Sequence, residues 1–352
     1  MMTINKFAYV YRLGLLALML LYFYSCKQDN IVYYKNFPQE NFLVGDVINI
    51  DDSIIHEYPL LTIIENKLII LDYATDEYYY HVYDTIDYSY KYSFGKRGRG
   101  VGELMYTGSL YHNNGILYVD NGLKRSEILA YKIGGDCAEI IDTIKLPNEE
   151  EIVIIRFVVE SNEAIWGLPV SGKEERRLYK IGNNRDILDS LFYIPKNPEW
   201  SLSKPTYTWH SHIAFNHNNS KLVLATCGGE RLDIFNTQNG DSLTIIGPGG
   251  NPIPDIKNGN IHLDYKVIGF RSLQVTDNHI YALYSGQYYK DIIWSDAEEI
   301  YSMNVYTHDG KPVIKYHFDK PIISVYVDEE NRTMYTTAVT GEEEESIVKY
   351  RF

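Results

Sequence analysis

Two histidines one residue apart, His210 and His212, are the first candidates for chemistry in this sequence. Alternate side chains of a β-strand point to the same side, so a His-x-His pair on a strand could present two imidazoles to one metal ion. No third ligand can be named beside them, and a pair of hydrogen-bonded histidines at a strand start is the commoner arrangement. We therefore predict no metal ion and no cofactor.

Two arginines, Arg156 and Arg271, lie inside the strand-like segments IIRFVV and GFRSLQV. A guanidinium group can donate two parallel hydrogen bonds to a carboxylate. If these segments line a central channel, the two arginines could hold a carboxylate there. The alternative is that they pair with acids and carbonyl groups of neighbouring strands.

Three tryptophans lie in long segments between strand-like runs: Trp200 and Trp209 in residues 195–209, and Trp294 in residues 285–299. Exposed flat rings suit sugar rings or peptide side chains, because they bury area at little entropic cost. The alternative is that these rings only pack their loops onto the body of the protein.

The sequence contains no GxSxG motif and no repeated Ser-x-Asp-x-Gly-x-Thr-Trp turn of the sialidase-like type. Catalytic residues are therefore unknown, and we predict a module that binds a glycan, a peptide or another envelope protein. The alternatives are a hydrolase or lyase acting at a channel mouth, and an envelope scaffold. A deep mouth lined by clustered charges would favour the enzyme, and a shallow aromatic shelf would favour the binder.

The formal net charge of −14 over 352 residues argues against nucleic acid as a partner, because a negative surface repels phosphate backbones. The chain is rich in aromatic residues, with 33 Tyr and 12 Phe, which favour strands. Of its three cysteines, Cys137 and Cys227 fall in separate repeats and are interpreted as free thiols.

The N-terminus resembles a bacterial lipoprotein signal. Residues 1–12 are mildly basic, and the apolar run Leu13–Tyr24 is too short to cross a bilayer, at about 1.5 Å of helix rise per residue. We predict a signal peptide over residues 1–25, lipidation of Cys26 and a tether over residues 26–40. The only membrane attachment would be this lipid anchor in the cell envelope. The alternative is plain cleavage, which would give a soluble periplasmic protein.

A repeat accounts for the rest of the chain. Its first mark is an Asn or Ser turn followed by a run of strand formers, at Asn66, Asn114, Asn162, Ser220, Asn278 and Asn331. Its second mark is an aromatic residue in a later strand-like run, at Tyr83, Tyr131, Tyr179, Phe235, Tyr306 and Tyr350. About four strands per unit and six units predict an all-β fold, a six-bladed β-propeller with four antiparallel strands per blade.

The two chain ends predict how the ring closes. Neither end has enough residues for a blade, but together they do, so the segment Val44–Ile50 is expected to supply the outer strand of the last blade. The propeller would then comprise residues 41–352. Because blade strands alternate in direction, the long segments all fall on one face, where binding is expected.

Two segments carry a family resemblance. Phe94–Leu104 (FGKRGRGVGEL) resembles the linker between blades of NHL-type propellers. Together with Val275–Gly286 (VTDNHIYALYSG), the signal and the length, it is similar to the TolB-like six-bladed propeller lipoproteins of Bacteroidota. The resemblance implies the propeller fold over nearly the whole mature chain, and it implies no reaction and no catalytic residues.

Overall fold

The structure, a computed structural model, describes residues 30–50, 60–122, 127–147, 152–170, 175–194, 208–252, 255–257, 260–262, 267–295, 301–340 and 345–352. Apart from one small hairpin, their strands form six sheets, and the innermost strands of these six sheets surround one axis. This arrangement is a six-bladed β-propeller, and the predicted fold class is confirmed.

The chain enters through three short strands, β1 (Asn30–Tyr33), β2 (Glu40–Leu43) and β3 (Asp46–Ile48). Blades 1, 2 and 3 then follow with four strands each, ordered from the axis outward along the chain. They are β4 (Leu60–Ile64), β5 (Lys67–Leu71), β6 (Tyr78–Asp84), β7 (Tyr90–Lys96), β8 (Tyr111–Asn113), β9 (Ile116–Asp120), β10 (Glu127–Ile133), β11 (Ala138–Lys145), β12 (Ile154–Ser161), β13 (Ala164–Pro169), β14 (Arg176–Gly182) and β15 (Ile187–Tyr193). A blade therefore consumes about fifty residues, as the repeat predicted.

Blades 4, 5 and 6 use the remaining strands. They are β16 (Ser211–Asn216), β17 (Lys221–Thr226), β18 (Arg231–Asn236), β19 (Ser242–Ile246), β22 (Phe270–Val275), β23 (His279–Tyr284), β24 (Ser302–Thr307), β25 (Pro312–Phe318), β26 (Ile322–Asp328), β27 (Thr333–Val339) and β28 (Glu345–Arg351). A small hairpin, β20 (Asp255–Lys257) and β21 (Asn260–His262), precedes blade 5, and helix α1 (Tyr289–Ser295) lies between β23 and β24. In the described parts of the chain, no helix combines the length and apolar character that a membrane span requires.

The predicted Asn and Ser turns connect the first and second strands of the blades. Asn114 and Gly115 both have positive φ, 49° and 76°, which suits a two-residue hairpin turn. Ser220 also has positive φ. In blade 1 the left-handed residue is Glu65 rather than the neighbouring Asn66, so the asparagine marks the turn without always occupying its strained position.

The second mark occupies one register position in five blades. The aromatic residue of the third strand lies opposite the second residue of the preceding strand, for example Tyr83 opposite Leu68 and Tyr350 opposite Met334. In blade 3 the same position pairs Ile165 with Ile181. Tyr179 therefore lies two residues away from the equivalent position, and the prediction that it carries the mark was wrong.

The ring closes as predicted, because β3 pairs antiparallel with β28 and completes blade 6. Two further strands from the N-terminal segment were not foreseen. β1 adds to β19 and β2 adds to β25, both in parallel, so blades 4 and 5 have five strands. The part of the expected tether from residue 30 onward is thus built into the propeller rather than extending from it.

The described buried apolar side chains form six clusters, and each cluster joins one pair of neighbouring blades. The cluster that contains Ile48, Leu68 and Tyr335 joins the last blade to the first. The core is therefore a closed circle of interfaces, and no blade can bury its faces without both neighbours.

Strand direction gives the propeller two unlike faces. The turns between first and second strands and between third and fourth strands are short and share one face, the short-turn face. The remaining connections share the opposite, long-loop face, and they include residues 97–110, 247–269 and 285–301. The predicted clustering of long segments on one face follows directly from this topology.

Truncation of a large side chain buried between two blades should destabilise the whole propeller. Tyr350 is fully buried between blades 5 and 6, and its hydroxyl donates to Asp319 Oδ1 at 3.0 Å. Tyr350→Ala should lower the free energy of unfolding by about 3–5 kcal/mol in urea titrations. Tyr193→Ala, at an exposed edge, is the matched control and should cost less than about 1 kcal/mol. Equal losses in the two variants would contradict the closed-ring core.

Candidate functional site

The inner strands of the six blades surround a central cavity of about 880 Å³. This volume lies within the range of about 300–1,000 Å³ that is usual for small-molecule sites. Every blade contributes lining residues from its first strand, namely β4, β8, β12, β16, β22 and β26. The cavity is therefore the central channel of the propeller.

Two arginines and a histidine converge at the long-loop end of this channel. Each lies near the start of its inner strand, Arg156 in β12, His212 in β16 and Arg271 in β22. Tyr73 and Tyr301 reach the same cavity from connections on the long-loop face. We call these five residues the channel mouth.

Arg271 owes its direction to a β-bulge. Phe270 pairs with Tyr284 and Ser272 pairs with Leu283, which leaves Arg271 as the extra residue of β22. Bulges of this kind re-aim a side chain next to a functional site. The guanidinium of Arg271 donates to the hydroxyl of Tyr301 at 3.5 Å and lies 5.8 Å from the centroid of its ring.

Arg156 is held by neutral groups. Its Nη1 donates to the backbone carbonyl of Ser211 at 2.8 Å, lies 3.3 Å from Nε2 of His210 and lies 3.9 Å from the sulfur of Cys227. The two arginines contribute the charge of the described cavity lining, which contains no Asp or Glu. A positive channel mouth therefore opens in a protein whose overall charge is −14.

The charges of both arginines act on the other titratable side chains of the mouth. Burial holds the pKa of His212 well below its usual value, and the charges of Arg156 and Arg271 lower it further. Burial raises the pKa of Tyr73, and nearby Tyr106 and Asp120 raise it further, whereas the same two arginine charges act to lower it. His212 is therefore a neutral imidazole between two cations at neutral pH.

A buried ion pair behind the mouth fixes the position of β16. Nη1 of Arg177 lies 2.5 Å from Oδ2 of Asp233, and its Nη2 donates to Oγ of Ser211 at 3.0 Å. Burial alone would raise the pKa of Asp233, but Arg177 and Arg231 beside it lower the pKa to about 2. Since the carbonyl of Ser211 accepts the hydrogen bond of Arg156, the pair positions that arginine indirectly.

The predicted tryptophans do not form an observed shelf. Trp209 is buried, with Arg177 at 4.9 Å and Arg231 at 5.3 Å from its ring centroid, so this ring packs the body as the alternative interpretation stated. Trp200 lies outside the described residues. Trp294 lies in α1, and its side chain is outside the described part of the structure.

Tyrosines supply the aromatic surface of the long-loop face instead. Tyr106 and Tyr288 are about half exposed, and Tyr106 stacks on Tyr73 of the mouth with ring centroids 6.2 Å apart. With 33 tyrosines in the chain, no spacing in the sequence distinguishes these three from the tyrosines of the core.

The far end of the channel is neutral and aromatic. His112 and Tyr326 have ring centroids 6.1 Å apart and line the cavity with Phe215. Burial lowers the pKa of His112 to about 4, so its imidazole is uncharged at neutral pH. A ligand that fills the channel would thus meet cations at the mouth and uncharged rings at the other end.

Metal chemistry receives no support from the described residues, which hold no group of three or more His, Cys, Asp or Glu side chains placed to bind an ion. Cys137 and Cys227 are not joined by a disulfide. The backbone of Cys227 instead joins two blades, because its N–H donates to the carbonyl of His210 at 2.8 Å and its carbonyl accepts from Gly269 at 3.0 Å. A Cβ on Gly269 would lie 2.4 Å from the carbonyl of Thr226, so this close approach requires glycine.

The fold and its central channel define a six-bladed β-propeller with a basic channel mouth. The family model for TolB-like 6-blade propeller-like proteins matches residues 36–330, and the chain belongs to this family. No curated protein matches the sequence.

Two solved structures have the same fold. A candidate exported protein of Bacteroides fragilis NCTC 9343 is 13% identical and superposes with a TM-score of 0.58 over 91% of this chain and 99% of its own. A member of the DUF4221 family from Bacteroides vulgatus is 10% identical, with a TM-score of 0.56 over 88% of this chain and 96% of its own. At these identities the likeness establishes the architecture alone.

Removal of the buried carboxylate behind the mouth should be costly. Asp233→Asn leaves the fully buried Arg177 without its counter-charge, and the free energy of unfolding should fall by about 3–5 kcal/mol at pH 7. The depressed pKa of Asp233 means that its contribution is complete above about pH 4 and is lost as the pH falls toward 2. Urea unfolding of both proteins at pH 7 and at pH 2.5 tests this. A stability difference that does not shrink at the lower pH would contradict it.

Proposed function

We propose that this protein is a cell-envelope binding module whose ligand presents a carboxylate to Arg156 and Arg271 at the channel mouth. The observation that carries the proposal is the pair of guanidinium groups facing one cavity whose described lining has no acidic residue. Arginine matches the planar geometry of a carboxylate and binds it through charge-assisted hydrogen bonds.

The tyrosines beside the mouth support an acidic glycan as the ligand class. Tyr106 offers a half-exposed ring that stacks on Tyr73, and Tyr73 continues this surface into the cavity that the two arginines line. Tyr288 is a further half-exposed ring on the long-loop face. Sugar rings bury area against flat side chains of this kind. A uronic acid or another carboxylate-bearing sugar would satisfy both features, and an acidic peptide is the competing class that the binding test separates.

The N-terminal signal supports the location. Residues 1–25 followed by Cys26 match the pattern of an exported lipoprotein, which would leave a lipid anchor as the only membrane attachment. The soluble periplasmic form remains the alternative. In either case the channel mouth would meet ligands outside the cytoplasm.

A second candidate function is an enzyme at the same mouth, a lyase or hydrolase that acts on an anionic substrate. The observation in its favour is that the charges of Arg156 and Arg271 lie in one cavity with the neutral imidazole of His212. We rank the binder first because the described lining holds no carboxyl group that could serve as a second acid or base. A neutral imidazole can accept a proton, although a strongly lowered pKa makes it a weak base. Depolymerisation of a bound acidic polysaccharide would identify the enzyme, and unchanged polysaccharide would leave the binder.

Loss of one mouth arginine should weaken the binding of carboxylate-bearing glycans. Applied to an array of acidic and neutral glycans with acidic peptides alongside, the protein beginning at Cys26 should retain carboxylate-bearing glycans. Arg156→Gln should weaken that binding by about 10- to 100-fold, the value of a charge-assisted hydrogen bond. Raising the salt concentration should weaken binding by the wild type more than binding by the variant.

The matched control is Arg351→Gln, which removes an exposed arginine at the end of β28 on the short-turn face. This variant should bind like the wild type. Retention of acidic peptides but no acidic glycan would reject the glycan class. Binding that Arg156→Gln leaves intact would reject the mouth as the site.

Lipidation has its own test. Cys26→Ser should block acylation and release the propeller into the soluble fraction of the envelope, whereas Cys137→Ser, the matched control at an exposed thiol, should leave it in the membrane fraction. Mass measurement of the purified N-terminus reads the acyl chains directly. A membrane-free wild type would support the soluble periplasmic alternative.

A further inference from the structure

The first strand of the propeller enters from the short-turn face. Asn30 lies opposite Leu243 and Tyr33 lies opposite Ile246 in the parallel pair of β1 and β19. β19 itself leaves the short turn that precedes it, where Gly240 donates to the carbonyl of Asn236 at 2.8 Å. β1 therefore begins at the short-turn face of blade 4 and runs toward the long-loop face.

The proposed anchor is very near this entry point. Four Cα-to-Cα steps separate Cys26 from Asn30, and an extended chain covers at most about 14 Å in four steps. An acylated Cys26 would sit at the bilayer surface. The inference thus rests on the lipid anchor of the proposed function and needs nothing of the proposed ligand.

We infer that the short-turn face, around blade 4, is the membrane-facing surface of this protein and that the channel mouth opens away from the bilayer. The partner of this face is the lipid surface that holds the acyl chains of Cys26. The reverse orientation fails on length, because β1 rises about 10 Å from Asn30 to Tyr33 and the long connections extend further. With the long-loop face toward the bilayer, the chain between Cys26 and Asn30 would have to span the length of β1 and the long connections beyond it. Its maximum length of about 14 Å is too short for that.

The chemistry of the short turns of blade 4 suits a headgroup region. The first turn, residues 216–221, is Asn-His-Asn-Asn-Ser-Lys, and the second, residues 236–241, is Asn-Thr-Gln-Asn-Gly-Asp. Together they carry one Lys and one Asp in a chain of net charge −14. This part of the surface therefore lacks the charge excess that would repel an anionic bilayer.

Energy transfer to the membrane measures the orientation. Donor dyes would be placed on single cysteines of the acylated full chain carrying Cys137→Ser and Cys227→Ser, in phosphatidylethanolamine and phosphatidylglycerol vesicles with an acceptor lipid. Three exposed positions serve as labels: Gln238→Cys on the short-turn face of blade 4, Ile86→Cys on the short-turn face of blade 1, and Pro248→Cys on the long-loop face of blade 4.

Transfer should be at least twofold greater from Gln238→Cys and Ile86→Cys than from Pro248→Cys. Transfer that is high from both Gln238→Cys and Pro248→Cys but low from Ile86→Cys, on the opposite blade, would mean that the propeller stands on the outer edge of blade 4. Greatest transfer from Pro248→Cys alone would mean that the mouth faces the bilayer. Either result overturns the inference while leaving the anchor intact.

A longer tether tests whether the short distance between Cys26 and β1 sets the orientation of the propeller on the membrane. A ten-residue Gly-Ser insertion between Asp29 and Asn30 lengthens the tether without touching β1, and it should reduce the difference between the two faces by at least half. An undiminished difference would show that the short tether does not set the orientation. Mass measurement of the acyl group on each sample separates the two proposals, because an unacylated chain refutes the anchor itself.

Discussion

Ring closure is the constraint on which everything else in this protein depends. Six blades share six apolar interfaces, and the pairing of β3 with β28 completes the circle. Once the circle is closed, all six inner strands run in the same direction and all begin at the long-loop face. Residues far apart in the chain, such as Arg156 and Arg271, are thereby brought to one end of one channel. No single blade contains the candidate site, because its residues come together only when the ring of blades is closed.

The sequence predicted the scaffold far better than the site. Turns such as Asn114-Gly115 and repeating aromatics such as Tyr83 are local or periodic signals, so blade number, strand order and closure could be predicted from them. The site depends on long-range convergence instead. Arg156 and Arg271 were candidates because they are polar residues in strands predicted to line the channel, but the bulge that turns Arg271 into the channel has no local signature. Tyr73 and Tyr301 were missed because they resemble the other tyrosines. The parallel additions of β1 and β2 were missed because strands of four residues are too short to give a periodic signal.

Charge is distributed unevenly between the channel mouth and the rest of the protein. The chain as a whole is acidic, with a net charge of −14, whereas the mouth is basic. Two cations facing one cavity repel each other, and that arrangement persists because rigid strands hold them. The buried pair of Arg177 and Asp233 belongs to this support, since through Ser211 it orders the segment that holds Arg156. Removing one partner of such a pair costs far more than the pair contributes net. An incoming carboxylate would relieve the repulsion at the mouth.

A crystal structure of the protein with a bound uronic-acid oligosaccharide would show whether the channel mouth binds a carboxylate. We expect the carboxylate within about 2.7–2.9 Å of guanidinium nitrogens of Arg156 and Arg271, with a sugar ring against Tyr73 or Tyr106. A ligand bound on the short-turn face or at the outer edge of a blade, with both arginines unengaged, would contradict it.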